Sequence, residues 1–108
     1  MSERVRMAMA LDAVEESVGL CEEHARAKVC EADRFQNTLC FDISGMVERA
    51  SVVYGVPRAD LMREALAMLR NGLCGALYGR CDVRYVRPYE VGGVVVGMEA
   101  RFYVRRTA

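Results

Sequence analysis

A chain of 108 residues, 53% hydrophobic and 28% charged, has room for one domain and is too apolar to stay unfolded. Its formal net charge is zero, unlike the strongly basic domains that hold nucleic acid by charge alone, and no apolar run is long enough to span a bilayer. The first residues lack the basic start, apolar stretch and cleavage site of a secretory leader, so the expected location is the cytoplasm.

Five cysteines (Cys21, Cys30, Cys40, Cys74 and Cys81) form an odd set without framework spacing and read as reduced thiols used as small apolar residues. Charge is unevenly placed along the chain. Residues 1–50 carry six basic and ten acidic side chains, and residues 51–108 carry nine basic and five acidic, giving −4 and +4. Such polarity orients a partner or favours self-association.

Ser2 is placed to cap a first helix, with Glu3 in its first turn where the helix dipole favours an anion. Leu11, Val14, Val18, Cys21 and Ala25 recur every three or four residues and make one apolar stripe. Glu15, Glu16, Glu22 and Glu23 occupy the opposite side, and Glu22 can meet Arg26 one turn on. Gly19 weakens the middle by roughly 1 kcal/mol relative to Ala and allows a bend. This helix is expected over residues 1–33.

Phe35 to Leu39 is short and tolerant of extended structure. Ile43, Val47, Ala50 and Tyr54 then share a helical face, with Gly55 as its stop. Pro57 marks the start of the next helix, Asp60 sits in its first turn, and Leu61, Ala65, Leu66, Leu69 and Leu73 supply its buried stripe. Asn71-Gly72 signals its end.

From residue 81 to 106 the period changes to two, around a Gly92-Gly93 hairpin turn. A regular hairpin pairs Val91 with Val94, Tyr89 with Val96, Arg87 with Met98, Tyr85 with Ala100 and Val83 with Phe102 on one face. The other face then sets Arg84 against Arg101, a like-charge pair that favours an anion between them. Pro88 marks an edge strand. Fold class is therefore α+β in a single domain, 1–108: a long N-terminal helix, a helix-turn-helix pair and a C-terminal two-stranded antiparallel hairpin.

The stretch from Gly55 to Leu66 (GVPRADLMREAL) resembles the turn and second helix of the ribbon-helix-helix DNA-binding family. Gly55, Val56, Arg58, Leu61, Arg63, Glu64 and Ala65 carry the family residue or its class, Met62 and Leu66 also fit, and Pro57, Ala59 and Asp60 differ. The resemblance extends over residues 34–72 and implies a ribbon at 34–39, with Arg34, Gln36 and Thr38 turned outward to read base edges. Two chains would pair their ribbons in a homodimer, with Arg58 at a phosphate. A second resemblance uses the same helices as a winged helix, with residues 58–71 as the recognition helix and the hairpin as its wing.

On the hairpin, Arg80, Arg84, Arg101, Arg105 and Arg106 flank Tyr103, a pattern suited to tracking phosphates and stacking on bases. His24 is the one histidine, and Cys21-x-x-His24 sets two donors on adjacent turns of one helix, which Cys30 and Cys40 would complete to the four of a structural zinc; the spacing has no C-x-x-C pair, and no metal or other cofactor is expected. Glu15-Glu16 and Glu22-Glu23 read as a solvated helix face. With no nucleophile–base pair and no phosphate-binding loop, the chain reads as non-enzymatic.

The leading expectation is a small DNA-binding transcription regulator acting as a homodimer, through Arg34, Gln36, Thr38, Arg58, Arg84, Arg101, Tyr103 and Arg105. Its rival is a protein-binding module, such as the phage-type inhibitors and assembly factors of mobile genetic elements, docking by its acidic helix or arginine-bearing hairpin.

Overall fold

Residues 1–31 and 36–104 are described in a computed structural model, with the backbone alone for Glu31 and Gln36. Arg34, Arg105 and Arg106, three of the residues singled out above, lie outside the described residues. The element order is α1 (Glu3–Glu31), β1 (Gln36–Asp42), α2 (Ser44–Tyr54), α3 (Arg58–Leu77), β2 (Asp82–Val91) and β3 (Val94–Tyr103). The architecture is α+β, as the periodicities imply. The hairpin, however, is part of a three-stranded antiparallel sheet in the order β1-β3-β2.

Local chemistry explains the helix ends. Val5 N–H donates to Ser2 Oγ at 3.2 Å, the expected cap of α1, and Arg26 meets Glu22 at 3.0 Å. α1 runs through Gly19 without interruption. Its side facing the protein buries Ala10, Val14, Val18, Ala25 and Val29 against α3 and α2. Gly55 ends α2 in the left-handed conformation, at φ 64° and ψ 44°, which side chains other than glycine adopt at a cost. Ser51 Oγ donates to Val56 O at 2.6 Å and closes the same turn. Pro57 lies immediately before α3, and Arg63 pairs with Asp60 at 2.6 Å in its first turns.

Asn71-Gly72 does not end α3, which continues to Leu77. The buried row of Leu61, Ala65, Leu69 and Leu73 goes on through Ala76 and Leu77, so burial outweighs the helix penalty of one glycine, about 1 kcal/mol. Gly72 has a different role. A Cβ there would stand 3.1 Å from Glu22 Oε2, the tip of a side chain on α1, so the missing side chain leaves room for that carboxylate.

All helices pack on one side of the sheet. From that side the core takes Met98, Ala100 and Phe102 of β3, with Leu39 and Phe41 of β1 and Val83 and Val86 of β2 packed against it. β1 reaches its place through an unusually close approach. Gly97 pairs with Asp42, and a Cβ on Gly97 would fall 1.6 Å from Phe41 O. Only glycine fits there.

Candidate functional site

Among the described residues no element covers the opposite side of the sheet, and its make-up follows from two irregularities in the hairpin. Val91 pairs with Val94 and Glu90 with Val95, as a regular turn dictates. The next pairing is Tyr89 with Gly97, so Val96 is an extra residue on β3. Register is then displaced by one through Pro88–Met98, Arg87–Glu99, Val86–Ala100 and Tyr85–Arg101. Arg84 is the compensating extra residue on β2, after which Val83–Phe102 and Asp82–Tyr103 return to the regular register.

A one-residue shift turns side chains to the other face. Between the two bulges, Tyr85, Arg87 and Tyr89 therefore leave the core side and join the outer face. The expected Arg87–Met98 pairing is replaced by Arg87–Glu99, which removes a cation from the core. The expected Arg84–Arg101 opposition does not form, because Tyr85 stands opposite Arg101 and Arg84 occupies the bulge. The like-charge argument for an intervening anion goes with it.

The outer face is an aromatic and basic surface whose charges are largely answered from within. Arg87 Nε donates to Glu99 Oε1 at 2.6 Å, and the guanidinium carbon sits 3.9 Å from the centre of the Tyr85 ring. The hydrogen bond to Glu99 is the chief reason that the Arg87 pKa rises further above its already high value. Tyr85, Tyr89 and Tyr103 are all half-buried. Thr38 and Cys40 of β1 are exposed on the same face, opposite Arg101 and Glu99 respectively. The Cys40 thiol lies 3.9 Å from Glu99 Oε2. Desolvation, then the Glu99 charge and hydrogen bond, push its pKa up.

At the end of β1, Asp42 Oδ1 accepts from Ser44 N at 2.9 Å and from Ser44 Oγ at 2.6 Å, leading the chain into α2. Those bonds, the hydroxyl's first, hold the carboxyl below its usual pKa.

The structure thus brings together Thr38, Arg101 and Tyr103, residues chosen from distant segments of the sequence, with Arg84 exposed at the adjoining bulge. It adds Tyr85, Arg87 and Tyr89, which a regular hairpin assigns to the core side or leaves unmarked. Gln36 is at the register position opposite Tyr103. Arg58 stands apart, exposed at the start of α3 in the helix layer. The hairpin is not a free wing, since Met98, Ala100 and Phe102 anchor it in the core.

β1 pairs with β3 of its own chain and is an edge strand of a wider sheet. Two copies joined at β1 would form a six-stranded sheet about 24 Å across at ~4.8 Å per strand, against a major groove of about 12 Å. Insertion as a narrow two-stranded ribbon does not suit this arrangement.

The four candidate metal donors do not converge. His24 packs edge-on against Phe41 at 5.9 Å, on the core side of β1, whereas Cys40 is on the outer face. Among the described residues no group of three His, Cys, Asp or Glu side chains is arranged to hold a metal ion. No helix among them is long and apolar enough to cross a membrane. No protein-family model, curated protein or solved structure matches the chain.

Proposed function

We propose that this chain is a non-enzymatic protein-binding module that docks its partner on the outer face of the sheet. The observation that carries the reading is the composition of that face. Tyr85, Tyr89 and Tyr103 surround Arg87 and Arg101, and Glu99 already neutralises Arg87 at 2.6 Å. Tyrosine and arginine dominate the energetic centres of protein interfaces, where rigid rings bury area at small entropic cost. Phosphate tracking instead needs uncompensated positive charge, and a chain of zero net charge supplies little of it. A small inhibitor or assembly factor of a mobile genetic element fits this description.

A second reading, DNA binding, has one observation in its favour: Thr38, Arg101 and Tyr103 gather on a single open sheet face, an arrangement on which unpaired bases stack. One set of measurements separates the two. A photo-crosslinking residue at position 89 is expected to trap one defined protein in the cells that make this chain, whereas the same group at position 67, exposed on α3, does not. The purified partner is then expected to bind at least about tenfold more weakly to Tyr85→Ala and to Arg101→Glu. Equal trapping from both positions would refute the reading. Labelled single-stranded and duplex DNA are expected to show no shift at low salt. A shift that weakens steeply with salt and disappears in Arg101→Glu would transfer the assignment to DNA.

A further inference from the structure

On the helix side of the molecule, away from the sheet face, α1 and α2 leave an open groove of about 380 Å³. Ala13 and Ser17 line it from α1, and Met46, Ala50 and Val53 line it from α2. Val53 stands 72% exposed in the groove, and the patch is apolar beyond it, because Met9 is 40% exposed and Leu20 62% exposed on α1. Exposed apolar residues clustered around a concavity mark an interaction surface, whereas scattered single ones do not.

The walls of the groove differ in charge. Met9, Ala13, Glu16 and Leu20 follow one another at helical spacing along the α1 rim, and Asp12 adds a second carboxylate on the outer crest. On α2 the lining includes Arg49. Among the described residues neither Glu16 nor Arg49 takes part in an ion pair.

We infer that the occupant is a second copy of this chain, related by a two-fold axis that lays α1 of each copy over α2 of the other. The same patch then offers both a ridge and a recess: Val53 enters the groove of the partner subunit, and that subunit's Val53 enters the groove here. Arg49 meets Glu16 of the partner subunit, and the pair forms twice because the interface is self-complementary. The alternative stacking, α1 upon α1, would oppose two acidic rims and is repelled. Charge therefore selects one orientation for an apolar contact. The contact leaves the outer sheet face of both copies open and does not depend on what binds there.

Sedimentation equilibrium of the full chain, from micromolar to near-millimolar loading, tests the inference. The wild type is expected to be a reversible dimer. Val53→Glu, at an exposed position that leaves the fold intact by circular dichroism, is expected to raise the dissociation constant at least about tenfold, as is typical of a central contact. Glu16→Arg and Arg49→Glu are each expected to weaken the dimer by about tenfold, since each introduces repulsion twice. The double variant, Glu16→Arg with Arg49→Glu, is expected to return to within a few-fold of wild type. A monomer at every concentration would overturn the proposal, and so would a dimer indifferent to Val53→Glu. Failure of the double variant to recover would overturn the charge-paired orientation.

Discussion

Two glycine-to-alanine substitutions carry opposite expectations, and the difference between them tests how β1 is held. At Gly97 an added Cβ would be 1.6 Å from Phe41 O and 2.7 Å from Phe41 C, both backbone atoms. Neither can swing away as a side-chain tip would. Relief requires β1 to lift from β3, which uncovers Leu39 and Phe41 and strains the Asp42 turn into α2. Overpacking alone costs about 1–3 kcal/mol, and partial loss of burial for two large apolar side chains raises the total to roughly 3–5 kcal/mol. For a domain near 100 residues this lowers Tm by at least about 12 °C, a large share of a total stability of roughly 5–15 kcal/mol.

Gly19 has nothing within 4 Å of the position where its Cβ would stand, and it lies inside α1. Alanine there is expected to stabilise by up to about 1 kcal/mol. Urea unfolding monitored by circular dichroism gives both values, with hydrogen exchange at residues 37–42 reporting detachment of β1. Gly97→Ala within about 1 kcal/mol of wild type would refute the close β1–β3 approach.

Phe102 is fully buried in the centre of the sheet's core side, so Phe102→Ala is expected to cost about 3–5 kcal/mol in the same unfolding assay. Asp42 has its folded pKa lowered by Ser44, so the carboxylate's contribution is present above the ordinary value near ~4 and fades as pH falls through the lowered one. Asp42→Asn is expected to flatten that acid limb in a series of urea midpoints, with no change at neutral pH beyond a constant offset. Cys40 has its thiol pKa raised, by desolvation and then by Glu99. Peptide mapping after brief iodoacetamide treatment near pH 8 is expected to show slow alkylation of Cys40, and faster alkylation in Glu99→Gln.

The helices were legible because their determinants are local. The stripe from Leu61 to Leu73, the Gly55 stop and the Ser2 cap each depend on residues within a few positions. Glu22 against Gly72 is not local, so Gly72 reads in sequence as a helix end, although it lies inside α3 beside the Glu22 carboxylate. The extended character of the segment before α2 was also legible, but its partner was not. Nothing around residues 36–42 specifies β3 as neighbour. The available signal was Gly97, a glycine inside a strand with no turn to explain it, the usual mark of a close backbone approach.

The open face was missed for a similar reason. Paired single-residue bulges leave the two ends of a hairpin in regular register, so matching apolar residues from the turn outward succeeds at both ends and fails between. Arg87 was the clue: a charged residue assigned to the core side signals a displaced register.

The two bulges stand to each other as a frameshift and its suppressor. Deleting Arg84 alone, or Val96 alone, leaves one displacement uncorrected, so either the tip or the base of the ribbon must turn its core-facing residues to water. Deleting both keeps every remaining pair, including Arg87 with Glu99, in a straighter and less twisted ribbon. Descendants of this sequence can therefore shorten β2 and β3 in concert far more readily than one at a time, and the tyrosines remain outward through the joint change.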